Sequence, residues 1–282
     1  MNRLVIGCGY LGLRVAQKWL GAGDTVFAVT RSVSRSEEFK SQGITPIVAD
    51  VTDYQSLNNL PAAATVLFSV GFDRGRHQDV REVYVDGFKN VLERLPGETE
   101  QLIYVSTTGV YGDHDGEWIT ETTTVQPSRP SSHACWLAET ALKQSSWWNK
   151  SVILRLAGIY GPQRIPRLDA IRSRRWSELN ADGFINLIHV DDATAIIEQV
   201  AKLGISAETF LVSDGNPPNR TEFFQYLADR LGVGKIDWPI PVETESLQRG
   251  ANKRISNRKL LERTGIKLSY ADFRQGIDQS LL

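Results

Sequence analysis

Along the first hundred residues, short apolar runs alternate with longer stretches in which apolar positions recur every three or four residues. The runs are "RLVIG" (3–7), "TVFAVT" (25–30), "GITPIVADV" (43–51), "ATVLFSVG" (64–71) and "QLIYVST" (101–107). They are β-branched or aromatic and short, as strands buried on both faces are. Between them, "LGLRVAQKWLGAG" (11–23) puts Leu13, Ala16 and Leu20 at helical spacing and ends at glycines. "DYQSLNNL" (53–60) reads as helical as well, and so does "QDVREVYVDGFKNVLERL" (78–95), with Val80, Val83, Tyr84, Phe88, Val91 and Leu92 on one face. Strands separated by helices predict a parallel sheet covered on both faces, an α/β doubly wound fold.

After "SVILRLAGIYGP" (151–162) the alternation breaks. Residues 161–190 carry Pro162, Pro166, several arginines and a strand-like "FINLIHV", and residues 235–258 are again rich in proline and charge. These stretches predict a small C-terminal substrate lobe. It is interleaved with late sheet elements such as "ETFLVSD" (208–214) near 184–215, so that residues 1–160 form the main domain and 161–282 mainly the lobe. Helices are expected over "DDATAIIEQVAKL" and "RTEFFQYLADRLG", opened by an aspartate and a threonine.

The chain has 282 residues and a formal charge of -1, so no global field favours nucleic acid or an anionic membrane. No apolar run is long enough to span a bilayer, and "MNRLVIGCGYLG" has too short an apolar segment for a signal peptide. The two cysteines, Cys8 and Cys135, lack metal-ligand spacing, and the expected setting is the reducing cytoplasm. No metal, membrane or nucleic-acid partner is expected.

Gly7-Cys8-Gly9-Tyr10-Leu11-Gly12 matches G-x-G-x-x-G, directly after the first strand and opening the first helix. Gly7 permits a tight turn, Gly9 lets the backbone approach a pyrophosphate, and Gly12 lets the helix pack on the strand. The helix N-terminus, with Tyr10 and Leu11 in the loop, then holds the anion through N–H groups and dipole. At the end of the second strand, "VTRSVSR" supplies Arg31 and Arg35 and no carboxylate; Asp24 precedes that strand and lies at its other edge. An arginine fork matches a ribose 2′-phosphate in charge and geometry, so NADP is expected ahead of NAD. Asp50, with Val51 beside it, ends the third strand and suits an adenine amino group, while Val70 and Gly71 end the fourth and leave room for ribose.

"YVSTTGVYG" (104–112), "LRLAGIYGP" (154–162) and "NLIHVDDA" (186–193), taken with the glycine loop, resemble the extended short-chain dehydrogenase/reductases of the epimerase/dehydratase group. The matches run in order from residue 4 to about residue 200, and the last part of the chain resembles the family only in layout. The resemblance implies a Rossmann-type domain, a nicotinamide dinucleotide, a small substrate of the nucleotide-sugar kind, and a homodimer through helices near 77–94 and 131–148. It also implies that Thr107 bonds the reacting oxygen, and Ser106, beside it, is expected to contact the cofactor.

The family's acid–base pair is absent. Anchoring on "AET", Glu139 takes the place of the glutamate that follows the family's lysine, so the lysine position falls on Cys135 and the tyrosine position on Ser131. No Tyr-x-x-x-Lys occurs in the chain. A serine hydroxyl does not ionise near neutrality and cannot replace a phenol acidified by a lysine. Three readings follow: another group carries the proton, with His133 nearest and Tyr111 second; or the protein binds NADP without turnover, as a sensor module does; or the fold is kept with no cofactor, which the intact glycine loop argues against. Cys135 reads as a small buried residue, His189 as a support for the strand end. Arg164, Arg167, Arg172, Arg174 and Arg175, with Lys253, Arg254 and Arg258, read either as a surface for an anionic substrate or as a solvated face.

Overall fold

The computed structural model describes residues 1–73, 75, 78–238 and 251–282. His77, at the start of the expected dimer helix, and 239–250, within the Pro- and charge-rich stretch, lie outside the described residues. The first half runs β1 (Asn2–Ile6), α1 (Tyr10–Gly21), β2 (Thr25–Thr30), α2 (Val33–Ser41), β3 (Thr45–Val48), β4 (Thr65–Phe68), α3 (Gly87–Arg94) and β5 (Gln101–Thr107). It continues with β6 (Trp118–Ile119), α4 (Pro130–Gln144), β7 (Ser151–Leu156), β8 (Gly158–Tyr160), α5 (Leu168–Arg172), β9 (Leu187–His189) and α6 (Val190–Lys202). The chain closes with β10 (Glu208–Val212), α7 (Arg220–Arg230), β11 (Arg254–Ile255), α8 (Arg258–Thr264) and α9 (Phe273–Leu281).

Seven strands form one parallel sheet in the order β10-β7-β5-β4-β1-β2-β3. The order reverses between β1 and β4, whose registers pair Ile6 with Phe68, and a doubly wound sheet opens its ligand crevice at that point. Two compact units are present. The first is Met1–Val110, Pro127–Arg155 and Thr194–Phe210; the second is Tyr111–Gln126, Leu156–Ala193 and Leu211–Leu282.

In the first unit the core follows from the two-face burial of the strands. Leu4, Ile6, Val66, Phe68, Leu102 and Tyr104 are all buried, and Phe88 of α3 sits between Phe68 and Tyr104 at ring distances of 4.6 and 4.5 Å. α1 buries Leu11, Val15, Ala16 and Trp19, a face rotated from the Leu13–Ala16–Leu20 stripe expected from spacing. The reason is that Gly12 must face β1: a Cβ there would lie 2.5 Å from the Gly7 carbonyl oxygen, and this contact sets the helix's rotation. "DYQSLNNL" forms a 3-10 turn over Tyr54–Asn59, and the long helix before β5 begins as a π-turn over Glu82–Asp86. Gly87 follows that turn because a Cβ would meet Val51 Cγ2 at 2.8 Å.

The second unit has its own core, built around Tyr160, Phe223, Phe224, Phe273 and Ile277. Two small sheets pair β6 with β11 and β8 with β9. Helix α7 is flanked by Asn219 rather than capped by Thr221, and no side chain caps its first turn. Asp192, in the first turn of α6, instead accepts the Ser269 and Tyr270 backbone N–H groups, at 2.8 and 2.9 Å. Among the described residues no helix is long and apolar enough to cross a membrane.

Candidate functional site

The glycine loop is built by the sheet reversal. Gly7 has φ +93 and packs on the Ser69–Val70 peptide; a Cβ would stand 2.5 Å from the Ser69 carbonyl carbon. The Ser69 hydroxyl donates to the Gly7 carbonyl at 3.0 Å, tying the ends of β1 and β4 together. Gly9 differs. A Cβ there would meet nothing within 4 Å, so no protein atom explains the glycine. As the N-cap of α1 it offers no side-chain cap, and α1 has no acidic residue in its first turn. The helix start therefore has first-turn N–H groups that no side chain caps, and the space a Cβ on Gly9 would occupy is open. Leu11 is buried behind the loop, and the Tyr10 ring lies 4.1 Å from the Arg14 guanidinium.

The polar groups beyond β2 and β3 are partly satisfied. The Arg35 guanidinium donates through Nη2 to the Cys8 carbonyl at 2.8 Å, while its Nε is buried with no hydrogen-bond partner. Arg31 is exposed; it pairs with Asp73 at 3.6 Å and donates to Gln78 Oε1 at 3.4 Å. Asp50 Oδ1 accepts from the Thr52 backbone N–H (3.0 Å) and hydroxyl (2.8 Å), which fixes the carboxylate and leaves Oδ2 for another donor. The Val51 side chain is buried and its carbonyl accepts from Asn90 Nδ2 at 3.0 Å. Val70 is half-buried and Gly71 exposed.

Where β5 meets α4, the structure brings together some expected residues and separates others. Thr107 Oγ1 accepts the Gly109 N–H at 3.0 Å, and its own proton remains to donate. A Cβ on Gly109 would meet Ser132 Oγ at 2.7 Å and Thr107 Oγ1 at 3.2 Å, so Gly109 lets the first turn of α4 close on Thr107. Ser106 departs from the expectation of a cofactor residue: its hydroxyl is buried and donates to Glu139 at 2.5 Å. Glu139 in turn accepts Arg155 Nε at 3.0 Å, and the three form a buried polar network. Ser131 and His133 are exposed on the first turn of α4, with the His133 ring 5.7 Å from Trp136. Tyr111 departs as well, since it is buried at 0% exposure and presents no hydroxyl at the surface. Cys135 is buried, and burial, reinforced by the nearby Glu139 carboxylate, pushes its thiol up to about 12. Cys8 is raised to about 12 by the same desolvation.

The family model of the NAD dependent epimerase/dehydratase family matches residues 3–202. The chain belongs to that family. Short-chain dehydrogenase/reductase family 42E member 1 of Danio rerio is 26% identical over 84% of this chain and 69% of its own length. Sterol-4-alpha-carboxylate 3-dehydrogenase, decarboxylating, of Dictyostelium discoideum is 21% identical over 80% of this chain and 75% of its own. Among solved structures, the Bordetella bronchiseptica enzyme WbmG, in complex with NAD and UDP, shares 21% identity at a TM-score of 0.82, covering 99% and 93% of the two chains. The Thermus thermophilus UDP-glucose 4-epimerase, in complex with NAD, shares 19% at a TM-score of 0.78, covering 100% and 99%.

In this epimerase/dehydratase-family chain, the second unit changes the reading of the basic stretches. Lys253 is buried and donates to the Gly112 carbonyl at 2.7 Å, and Arg254 donates to Gly116 at 2.7 Å; both hold the loop after β5 rather than face solvent as one basic surface. Arg175 and Arg167 share Glu178, at 2.6 and 3.9 Å, whereas Arg172 and Arg174 are exposed. His189 is buried; its Nδ1 accepts the Asp191 N–H at 3.3 Å, and the ring stands edge-on to Tyr160. Sequence spacing missed Asp214. It is 4% exposed, its Oδ2 has no partner, and desolvation, with Asp272 and Asp192 nearby, raises its pKa to about 7. A depression of about 510 Å³ lined by Arg3, Asp24, Thr65 and Gln101 lies at the amino-terminal edge of the sheet, opposite the end that carries the glycine loop.

Proposed function

We propose that this chain binds NADP(H) in preference to NAD(H) and uses it in oxidoreductase, epimerase or dehydratase chemistry on a small substrate of the nucleotide-sugar kind. The observation that carries the reading is the arginine pair beyond β2. Arg35 reaches the glycine loop with a buried Nε that lacks an acceptor, Arg31 follows β2 directly, and the strand end "VTRSVSR" carries no carboxylate; the Asp73 carboxylate comes from the loop after β4 and is paired with Arg31. A phosphate oxygen satisfies that Nε, and a guanidinium matches a phosphate in charge and geometry. The open face of Gly9 supports the dinucleotide itself. NAD and UDP bound to WbmG, and NAD bound to the Thermus epimerase, support a nicotinamide dinucleotide and the substrate class.

A nicotinamide bound there would supply hydride exchange with a carbon that bears the reacting oxygen. Thr107, anchored by the Gly109 N–H, donates to that oxygen. Ser132 packs behind it, and Ser131 and His133 present the exposed hydroxyl and the exposed imidazole on the first turn of α4. His133 is the imidazole on that turn, a donor and acceptor placed to carry the substrate proton. Dimerisation through α3 and α4 and a cytoplasmic setting, suited to two free buried cysteines, complete the proposal.

A second reading, NADP binding without turnover, draws support from Cys135, whose thiol stays protonated where the family's lysine would carry charge. Calorimetric titration with NADPH and NADH tests the binding. NADPH is expected to bind at least tenfold more tightly, with Arg31→Ala removing the preference; equal binding of the two refutes the 2′-phosphate assignment. Nucleotide sugars added to the loaded protein, with nicotinamide absorbance as the readout, then separate turnover from binding alone.

A further inference from the structure

Arg31 already has an anion. Asp73, in the loop after β4, lies 3.6 Å from its guanidinium, while Gln78 Oε1 accepts from Nη1 at 3.4 Å. Gln78 is itself held: its amide donates to Thr52 Oγ1 at 3.4 Å, and that hydroxyl donates to Asp50 Oδ1 at 2.8 Å. The chain Asp73, Arg31, Gln78, Thr52, Asp50 therefore joins the group assigned to the 2′-phosphate to the group assigned to adenine. Gln78 and Thr52 set where Arg31 stands, and Asp73 takes up the charge.

We propose that Asp73 is a specificity-determining residue that stands in for the ribose 2′-phosphate on Arg31, so that only a ligand carrying that phosphate displaces it. This rests on the NADP reading above. The side chains of Arg31 and Asp73 are 34% and 49% exposed. An ion pair that open to water is weak, with a single carboxylate against a high-dielectric background. A phosphate monoester brings up to two charges and three acceptor oxygens to the same guanidinium and wins the exchange. A ribose 2′-hydroxyl brings no charge and cannot. Asp73 thus sets a threshold: it holds Arg31 in place before binding, and it must be displaced by the 2′-phosphate.

The test is calorimetric titration of the full chain with NADPH, NADH and adenosine 2′,5′-bisphosphate, for the wild type, Asp73→Asn, Arg31→Ala and the double variant. Asp73→Asn is expected to tighten the two phosphate-bearing ligands about two- to fivefold, the range of an exposed ion pair. NADH is expected to change by less than about twofold, and the gain is expected to vanish in the Arg31→Ala background. A gain that persists without Arg31 overturns the proposal, because long-range charge then explains it. Weaker NADH binding by Asp73→Asn with unchanged NADPH overturns it too, and makes Asp73 a ribose-hydroxyl acceptor. An NADPH preference in the wild type that Asp73→Asn leaves untouched refutes Asp73's role alone. Wild-type protein that binds neither dinucleotide refutes the NADP reading instead.

Discussion

Replacing Gly9 with alanine separates the fold from the ligand at a single atom. The added Cβ meets no protein atom within 4 Å, and the φ of -92 is one an L-residue adopts. Gly9→Ala is therefore expected to keep its fold and to unfold near the wild-type temperature. The ligand meets the methyl group instead. It fills the space through which backbone N–H groups reach a pyrophosphate, and each charge-assisted hydrogen bond lost costs about 1.5–3 kcal/mol. One such bond corresponds to roughly a ten- to hundredfold weaker NADPH affinity. Gly7→Ala is the control with the opposite signature: at φ +93 and against the Ser69–Val70 peptide, it is expected to lose at least roughly 2 kcal/mol of stability. The assay is a thermal melt and an NADPH titration of both variants. Gly9→Ala protein that melts normally and binds NADPH like the wild type would refute the placement of the pyrophosphate at this loop.

Other outcomes follow from buried groups. Asp214 has a folded-state pKa of about 7 against 3.8 when exposed, so its contribution to stability is intact below about pH 4 and is lost as pH rises through about 7. Asp214→Asn is expected to match the wild type in urea unfolding near pH 4 and to exceed it by up to about 4 kcal/mol at pH 8; a pH-independent difference contradicts this. Cys8 and Cys135, with thiols raised to about 12, are expected to resist a thiol reagent at pH 8 in the folded protein and to react once it is unfolded. Fast labelling of folded protein at that pH contradicts their burial. Glu139→Ala removes the carboxylate that pairs with Arg155, which is 3% exposed, and is expected to destabilise the chain by roughly 3–5 kcal/mol in denaturant melts; a loss under about 1 kcal/mol shows that the pair contributes no more than an exposed one.

Local chemistry by itself determined the elements and the cofactor loop of this protein. The apolar runs at 3–7, 64–71 and 101–107 became inner strands while 43–51 became the partly exposed edge strand β3, and a G-x-G-x-x-G that turns a strand into a helix leaves the same N–H groups wherever it occurs. The arginines beyond β2 and the loss of the tyrosine–lysine pair are likewise matters of residue identity. Tertiary structure decided what depends on partners far away in the chain. Spacing marked Ser106 for the ligand, but Glu139 and Arg155 draw its hydroxyl inward, since a buried ion pair needs a further donor. Spacing placed Lys253 on a basic face, but the loop after β5 needed a buried donor at Gly112. The orphan oxygen of Asp214 and the Asp73 carboxylate on Arg31 have no local signature at all. Periodicity reports which face of an element avoids water, and it carries no record of which distant polar group meets it there.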